Sequence, residues 1–227
     1  MEIVVNHLTR MYPGYICVAG VNTSTWQHIR PVLNGRLSTS LLAANGGPFA
    51  MASHVDLGSV QYRGCPPEVE DYYFSSQNVR AIRILPSEEF WELLQHIARR
   101  SIVEIFGSAI RSYGKGCVVE VETGEASLGC LIPATQPKLF VNSFGSVRVG
   151  VTDGTSTLDL SVTDVRLCEV DHKTLKMGLI NQINSRMQRG TPVILSIGLT
   201  RSWQKPGDTK EWHWLQVNNI HLKDSVV

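Results

Sequence analysis

Two tripeptides of identical composition close apolar runs: Leu8-Thr9-Arg10 after Ile3 to Asn6, and Leu199-Thr200-Arg201 after Val193 to Ile197. A hydroxyl beside a guanidinium fork at a strand end suits a phosphate, because both present N–H and O–H donors to its oxygens. The two copies do not hold equivalent places in the order of elements, so coincidence stays open beside a shared role. A second group sets rings beside cations. Trp26, His28 and Arg30 alternate along one segment, Trp203 follows Arg201, and Trp212-His213-Trp214 opens the last apolar run. Exposed rings stack on bases while cations hold the backbone, although each of these tryptophans could instead fill a small core. In a strand Trp212 and Trp214 point one way and His213 the other.

Carboxylates form a third group. Glu68, Glu70 and Asp71 crowd one loop, and Glu169, Asp171 and Lys173 make an E-x-D-x-K sequence. A metal-dependent nuclease needs two or three acids converging on a cation, with a lysine. The Glu169 cluster leads into a helix, whose first turn favours acids anyway. His54 and Asp56, two apart, could share a strand face and a metal, or simply be surface groups. Asp164 reads as a turn former or cap. The sequence has no G-x-S-x-G, Walker-type loop or G-x-G-x-x-G. Gly46-Gly47 and the Gly114/Gly116 pair are loop glycines. No catalytic residue, metal or cofactor is expected.

Composition narrows the classes further. The 227 residues, 43% hydrophobic and 18% charged, suit a globular chain of one large or two small domains. A formal charge of +1 supplies no global attraction to polyanions, so phosphate binding must come from local clusters. The cations are 14 Arg against 7 Lys, which fits a use of the planar fork for phosphates or base edges and equally a GC-rich genome. The five cysteines, Cys17, Cys65, Cys117, Cys130 and Cys168, never form C-x-x-C and several sit in apolar runs. That argues against disulfides and structural zinc and for a reducing compartment. With neither a signal-like N-terminus nor an apolar run of membrane length, a cytoplasmic location is expected.

These residues need positioning elements, and most are strands. Ile3 to Val5 and Tyr15 to Val21 are expected to form a hairpin through Tyr12-Pro13-Gly14. Trp26 to Val32 and Val55 to Tyr62 read as strands, separated by a long Ser/Gly/Ala-rich excursion over 33–52 that could hold a short helix. Ser87 is a candidate N-cap for a helix whose apolar stripe uses Phe90, Leu94, Ile97 and Ile102. Cys117 to Val121 and Ser127 to Ile132 resume strand character, and Pro133 to Pro137 reads as a linker. Beyond it come three short strands, Lys138 to Val141, Val147 to Thr152 and Thr157 to Val162. A helix over about Lys173 to Arg189 and two strands, Val193 to Leu199 and Trp214 to Leu222, complete the chain. Three strands, a helix and two strands is the order of an oligonucleotide/oligosaccharide-binding (OB) barrel.

The segments Cys17-Val18-Ala19-Gly20-Val21, Trp26-x-x-Ile29-Arg30-Pro31-Val32, Val55-Asp56-Leu57-Gly58 and Pro66-Pro67-Glu68-Val69-Glu70-Asp71 resemble the dual OB-containing domain family of prokaryotes. Ser127-Leu128-Gly129, Leu158-x-Leu160-x-Val162-Thr163-Asp164 and Leu195-Ser196-Ile197-Gly198-Leu199 continue the resemblance. It implies a mainly β chain of two OB-like small barrels packed together, binding nucleic acid or nucleotides in defence or mobile-element settings. The expected division is 1–133, with an insertion at about 33–52, and 137–227. Within the family pattern Arg30 either contacts phosphate or pairs internally with Glu70 or Asp71, the latter preferred. The leading expectation is a non-catalytic protein that binds single-stranded DNA or RNA through Thr9, Arg10, Trp26, His28, Arg30, Thr200, Arg201, Trp203 and His213. A protein-interaction subunit of a larger ribonucleoprotein or defence complex is the alternative, and a metal-dependent nuclease the third.

Overall fold

A computed structural model describes residues 1–11, 14–154 and 157–225. The N-terminal hairpin forms: β1 (Glu2–Arg10) pairs antiparallel with β2 (Tyr15–Asn22). Of its expected turn, Tyr12 and Pro13 lie outside the described residues, and Gly14 takes the positive φ that glycine tolerates. Strand β3 (His28–Val32) starts later than expected, because Trp26 sits in the preceding turn at a φ of 60°. Trp26 therefore leaves the strand face of His28 and Arg30. The excursion holds β4 (Leu37–Ser38) and two 3₁₀ turns, Thr39–Leu41 and Ala43–Asn45. The single strand expected over Val55 to Tyr62 is two, β5 (Ser53–Asp56) and β6 (Gln61–Tyr62). Gly58, at positive φ and bonded through its N–H to Asp56 Oδ1, breaks it. The acidic loop then enters β7 (Asp71–Tyr73), and β8 (Arg80–Ile84) follows.

The expected first helix is two helices. α1 (Ser87–Ile97) has Pro86, not Ser87, at its N-cap. It stops at Ala98 because Arg99 is drawn into a bridge with Leu131, its N–H donating to the Cys130 carbonyl. Ile102 then opens α2 (Ile102–Phe106), capped by the Ser101 hydroxyl. Tertiary hydrogen bonding here overrides a continuous apolar stripe. β9 (Arg111–Tyr113), β10 (Gly116–Glu120) and β11 (Leu128–Leu131) follow, then β12 (Lys138–Val141), β13 (Val147–Thr152) and β14 (Thr157–Ser161). α3 (Met177–Gln188) leads to β15 (Val193–Leu199) and β16 (Trp212–Leu222). α3 starts later than Lys173 because the Asp171 carboxylate captures the Lys173 and Thr174 amides in a turn. The three-strand, helix, two-strand order after Pro137 is as expected.

The strands make three sheets. The largest runs β6-β7-β3-β2-β1-β5-β8, with β4 on β2; the second runs β11-β15-β16-β10-β9, and the third is the β12-β13-β14 meander. The chain is mainly β and OB-like, and no closed barrel forms among the described residues. One apolar cluster gathers Val5, Val18, Phe49, Phe74, Phe90 and Leu94; the other gathers Phe106, Val149, Leu160, Ile180, Met187, Leu195 and Val217. Burial on this scale, at about 25 cal/mol per Å² of apolar surface, is the main force holding each together.

Two β-bulges face each other where the clusters meet. On β1 the register slips between Val5 and His7, so Asn6 is the extra residue; on β16 the extra residue is Asn218. A bulge re-aims side chains that regular alternation would send to opposite faces. Here the Asn6 amide reaches Cys130 and Ser196, Asn218 donates to His7 Nδ1 at 3.0 Å, and Asn219 bonds the Leu8 N–H and carbonyl at 2.7 and 3.0 Å. Asp164 caps the 3₁₀ turn Val165–Leu167, binds Arg166 and bridges to Thr9, which ties that turn to β1.

This polar seam holds neutral histidines. Burial pushes His221 down to about 3 and His28 to about 4, and lowers His7 well below its ordinary value of 6.5. Between those values the unfolded chain binds protons that the folded chain refuses. Stability must therefore fall as pH drops from about 6.5 toward 4. Thermal melts over that window should show a steady loss of Tm; a flat profile would contradict neutral burial of these rings.

Candidate nucleic-acid interface

Both Leu-Thr-Arg segments border one groove. It encloses about 630 Å³ and is lined by Thr9, Arg10, Arg30, Arg36, Thr200, Arg201 and Trp203, among others. The ends of β1 and β15 border the same groove, so tripeptides 191 residues apart converge. Their hydroxyls are already engaged: Thr9 is buried against Cys17, and Thr200 Oγ1 accepts the Trp214 N–H at 2.9 Å. The arginines differ in freedom. Arg10 donates to the His172 carbonyl at 3.1 Å through one nitrogen, and Arg36 lies exposed over the Tyr15 ring.

Arg30 is internally paired, the preferred of its two expected roles. Its Nε donates to Asp71 Oδ1, and its buried Nη2 has no partner among the described residues. Parallel pairing of β3 with β7 sets Arg30 opposite Asp71. Asp71 Oδ2 accepts from Arg201 Nη2 at 2.7 Å, while Arg201 Nη1 meets Glu68 at 3.2 Å. Arg201 is nevertheless 53% exposed, so its guanidinium is anchored at one edge and open at the other. His213 is buried beneath it, with Nδ1 on the Thr200 carbonyl at 2.9 Å. Glu70 turns away and accepts from the Ser127 N–H and hydroxyl and from the Leu128 N–H; burial nonetheless raises it above the usual carboxylate range. Glu68 and Asp71 thus share Arg201 while Glu70 is held by Ser127 and Leu128, and all three loop acids are already partnered.

Asp171 and Asp56 are likewise committed. Asp171, held at about 2 by the Thr174 hydroxyl and two amides, forms a turn. His54 pairs with Glu2 at 2.8 Å, while Asp56 serves the N-terminal ammonium and Arg80.

A second surface adjoins the groove. On β16 the alternation is as read from the sequence: His213 is buried, while Trp212 and Trp214 face outward. Trp203 bridges to Trp212 and sets its ring 6.1 Å from that of Trp214, and Tyr113 of β9 lies 5.3 Å from Trp214 on the other side. Arg111 and Lys210 stand over Trp212 and Lys205 over Trp214, at 5.1, 5.9 and 5.5 Å from the ring centroids. Trp203, 44% exposed, belongs to both groove and aromatic surface. Tyr113, Arg111, Lys205 and Lys210 were not singled out in the sequence; short β9 carries no signal of its own, and only the pairing of β9 with β10 and β10 with β16 brings it there.

Trp26 and His28 stand elsewhere. They line a separate groove with Tyr62, Tyr72 and His96, where the Trp26 ring lies 4.5 Å from that of His96. Among the described residues no helix is long and apolar enough to cross a membrane.

This is an OB-type β chain with an arginine-lined groove leading onto an aromatic face. It belongs to the dual OB-containing domain family, whose model matches residues 1–220. No curated protein matches it. Among solved structures it is similar to the Ifi202 HINa domain in complex with 20bp dsDNA, at 10% identity over 98% of this chain and 94% of that one, with a TM-score of 0.35. It is also similar to the p204 HINb domain, at 10% identity over 96% and 95% of the two chains and a TM-score of 0.35. A murine DNA binding protein bound with ds DNA matches at 8% identity over 99% and 95%, again with a TM-score of 0.35. Likeness at that level carries no argument about the ligand of this chain.

Proposed function

We propose that this protein binds single-stranded DNA or RNA without catalysing a reaction, holding phosphates in the arginine groove and bases on Tyr113, Trp203, Trp212 and Trp214. One observation carries this reading: the groove and the aromatic face are continuous at Trp203. Cations beside stackable rings form the two halves of a single-strand site. The net charge of +1 concentrates the attraction in this local cluster.

Fluorescence anisotropy with short single-stranded DNA, RNA and duplex, at low and physiological salt, tests the reading. Micromolar or tighter binding that weakens with salt is expected, and no binding at low salt would sink it. Arg10→Ala with Arg201→Ala should weaken binding and reduce the salt slope by about 2, one for each arginine that no longer meets a phosphate. Unchanged affinity and slope would remove both arginines from the interface.

The same proposal includes two units, expected to divide at Pro133–Pro137. Membership of the apolar clusters favours a division nearer Ala98, because Ile102, Phe106, Cys117 and Val119 pack with the second cluster. A reducing cytoplasm also belongs to it, in keeping with five free cysteines, and the prokaryotic defence or mobile-element setting is carried over from the family resemblance alone. The alternative, a protein-interaction subunit, draws on one observation. Edge strand β8 is exposed throughout, with Ile84 at 62%. A partner lost on Ile82→Lys with Ile84→Lys, while nucleic-acid binding persists, would favour that reading.

A further inference from the structure

We propose that His7, His28 and Cys130 form a transition-metal site, with Zn²⁺ the metal its donors suit best, clipping β1 and β3 of the first sheet to β11 of the second. One ring nitrogen of each histidine and the cysteine sulfur lie within 4.8 Å of one another, and among the described residues no other three His, Cys, Asp or Glu side chains are grouped this way. Two imidazoles and a thiolate are donors that zinc takes at about 2.0–2.3 Å.

One unpartnered atom points to a ligand. His7 is 1% exposed, and its Nε2 has no hydrogen-bond partner among the described residues. Asn6, fully buried, leaves Oδ1 equally without one, while its Nδ2 lies 3.2 Å from His28 Nε2 and 3.3 Å from Cys130 Sγ. Turning the Asn6 amide over puts Oδ1 where Nδ2 stands. Those separations then approach the edges, roughly 3.3–3.8 Å, of a tetrahedron built on zinc bonds of ordinary length. Asn6 Oδ1 is thus the fourth donor, and the β1 bulge is what lets adjacent Asn6 and His7 serve one centre.

The surroundings complete the design. His7 Nδ1 meets Asn218, whose amide, turned over together with Gln216, accepts the ring proton once Nε2 binds metal. Ser196 Oγ lies 3.5 Å from Cys130 Sγ and 2.9 Å from His221 Nε2, tying the thiolate to an outer histidine. His28 and Cys130 also line the groove shared with Trp26 and His96, which gives an ion its entry path. Burial keeps the His28 ring neutral, the form that ligates, and holds the Cys130 thiol up at about 11. Metal binding therefore releases one proton, from sulfur; the His7 ring proton moves from Nε2 to Nδ1 and is retained.

The test uses the full chain in a Cys65→Ser background, which removes the exposed thiol. Dialysis against Zn²⁺ followed by elemental analysis should give one ion per chain. Co²⁺ should produce intense tetrahedral visible bands and a thiolate-to-cobalt charge-transfer band. Cys130→Ser should abolish the charge-transfer band, and His28→Ala should lower Zn²⁺ affinity at least about tenfold. Wild-type protein that retains no stoichiometric zinc and shows no cobalt–thiolate band overturns the proposal, as does an unchanged band in folded Cys130→Ser. Should Cys130→Ser not fold, the wild-type cobalt spectrum alone decides.

Discussion

Arg30→Ala is expected to lower stability by about 3 kcal/mol, because removing one partner of a buried ion pair strands the other. For a chain of this size that corresponds to a fall in Tm of roughly 6–12 °C. Arg30 is 4% exposed and lies between the Asp71 carboxylate and the strand pairing that its own N–H makes with the Glu70 carbonyl. Arg201 would remain on Asp71, which keeps the expected loss at the lower end of the range for such pairs. Arg30→Lys keeps the charge but not the planar fork, so an intermediate Tm is expected. Replacing the pair by apolar residues, Arg30→Met with Asp71→Leu, should recover part of the loss. Chemical denaturation of the four proteins checks the order; wild-type melting of Arg30→Ala would return Arg30 to the ligand-contacting residues.

Local alternation was legible where a strand faces one way. Trp212, His213 and Trp214 took the sides their spacing dictates, and the strand–helix–strand order of the C-terminal half followed from turn residues and period. What was hidden depends on distant partners. The stripe from Phe90 to Ile102 is helical by pattern, yet Arg99 bonds Cys130 and Ile132 across the sheets and cuts it in two. Asp171 looked like a metal or helix-end acid, and its three local donors make it a turn.

The sites show the same division. Repetition of Leu-Thr-Arg flagged both ends of the groove, while the carboxylates that neutralise Arg201 come from a loop 130 residues away. His7, His28 and Cys130 have no metal-ligand spacing, so absence of C-x-x-C argued against zinc. Their convergence needs the β1 bulge and the meeting of two sheets, which no one-dimensional spacing encodes.

Trp203→Ala and Trp214→Ala should each weaken single-strand binding by roughly 5–150-fold, since stacking contributes about 1–3 kcal/mol per base. Both rings are partly exposed, and neither belongs to the apolar clusters, so the variants should melt near wild type. Trp203 joins the groove to the aromatic face; its loss should therefore also shorten the length of strand protected. Duplex keeps its bases stacked on each other and cannot offer them to the platform, so duplex affinity should fall less. Trp26→Ala is the control, because that ring packs on His96 in a different groove and should leave affinity within about twofold, the scale of an uninvolved surface change. Anisotropy titrations of the three variants against one oligonucleotide make the comparison. If Trp203→Ala and Trp214→Ala bind as wild type while the Arg10/Arg201 variant does not, phosphate contacts alone hold the strand. Loss in the Trp26 variant instead would move the site to the groove that it shares with His28.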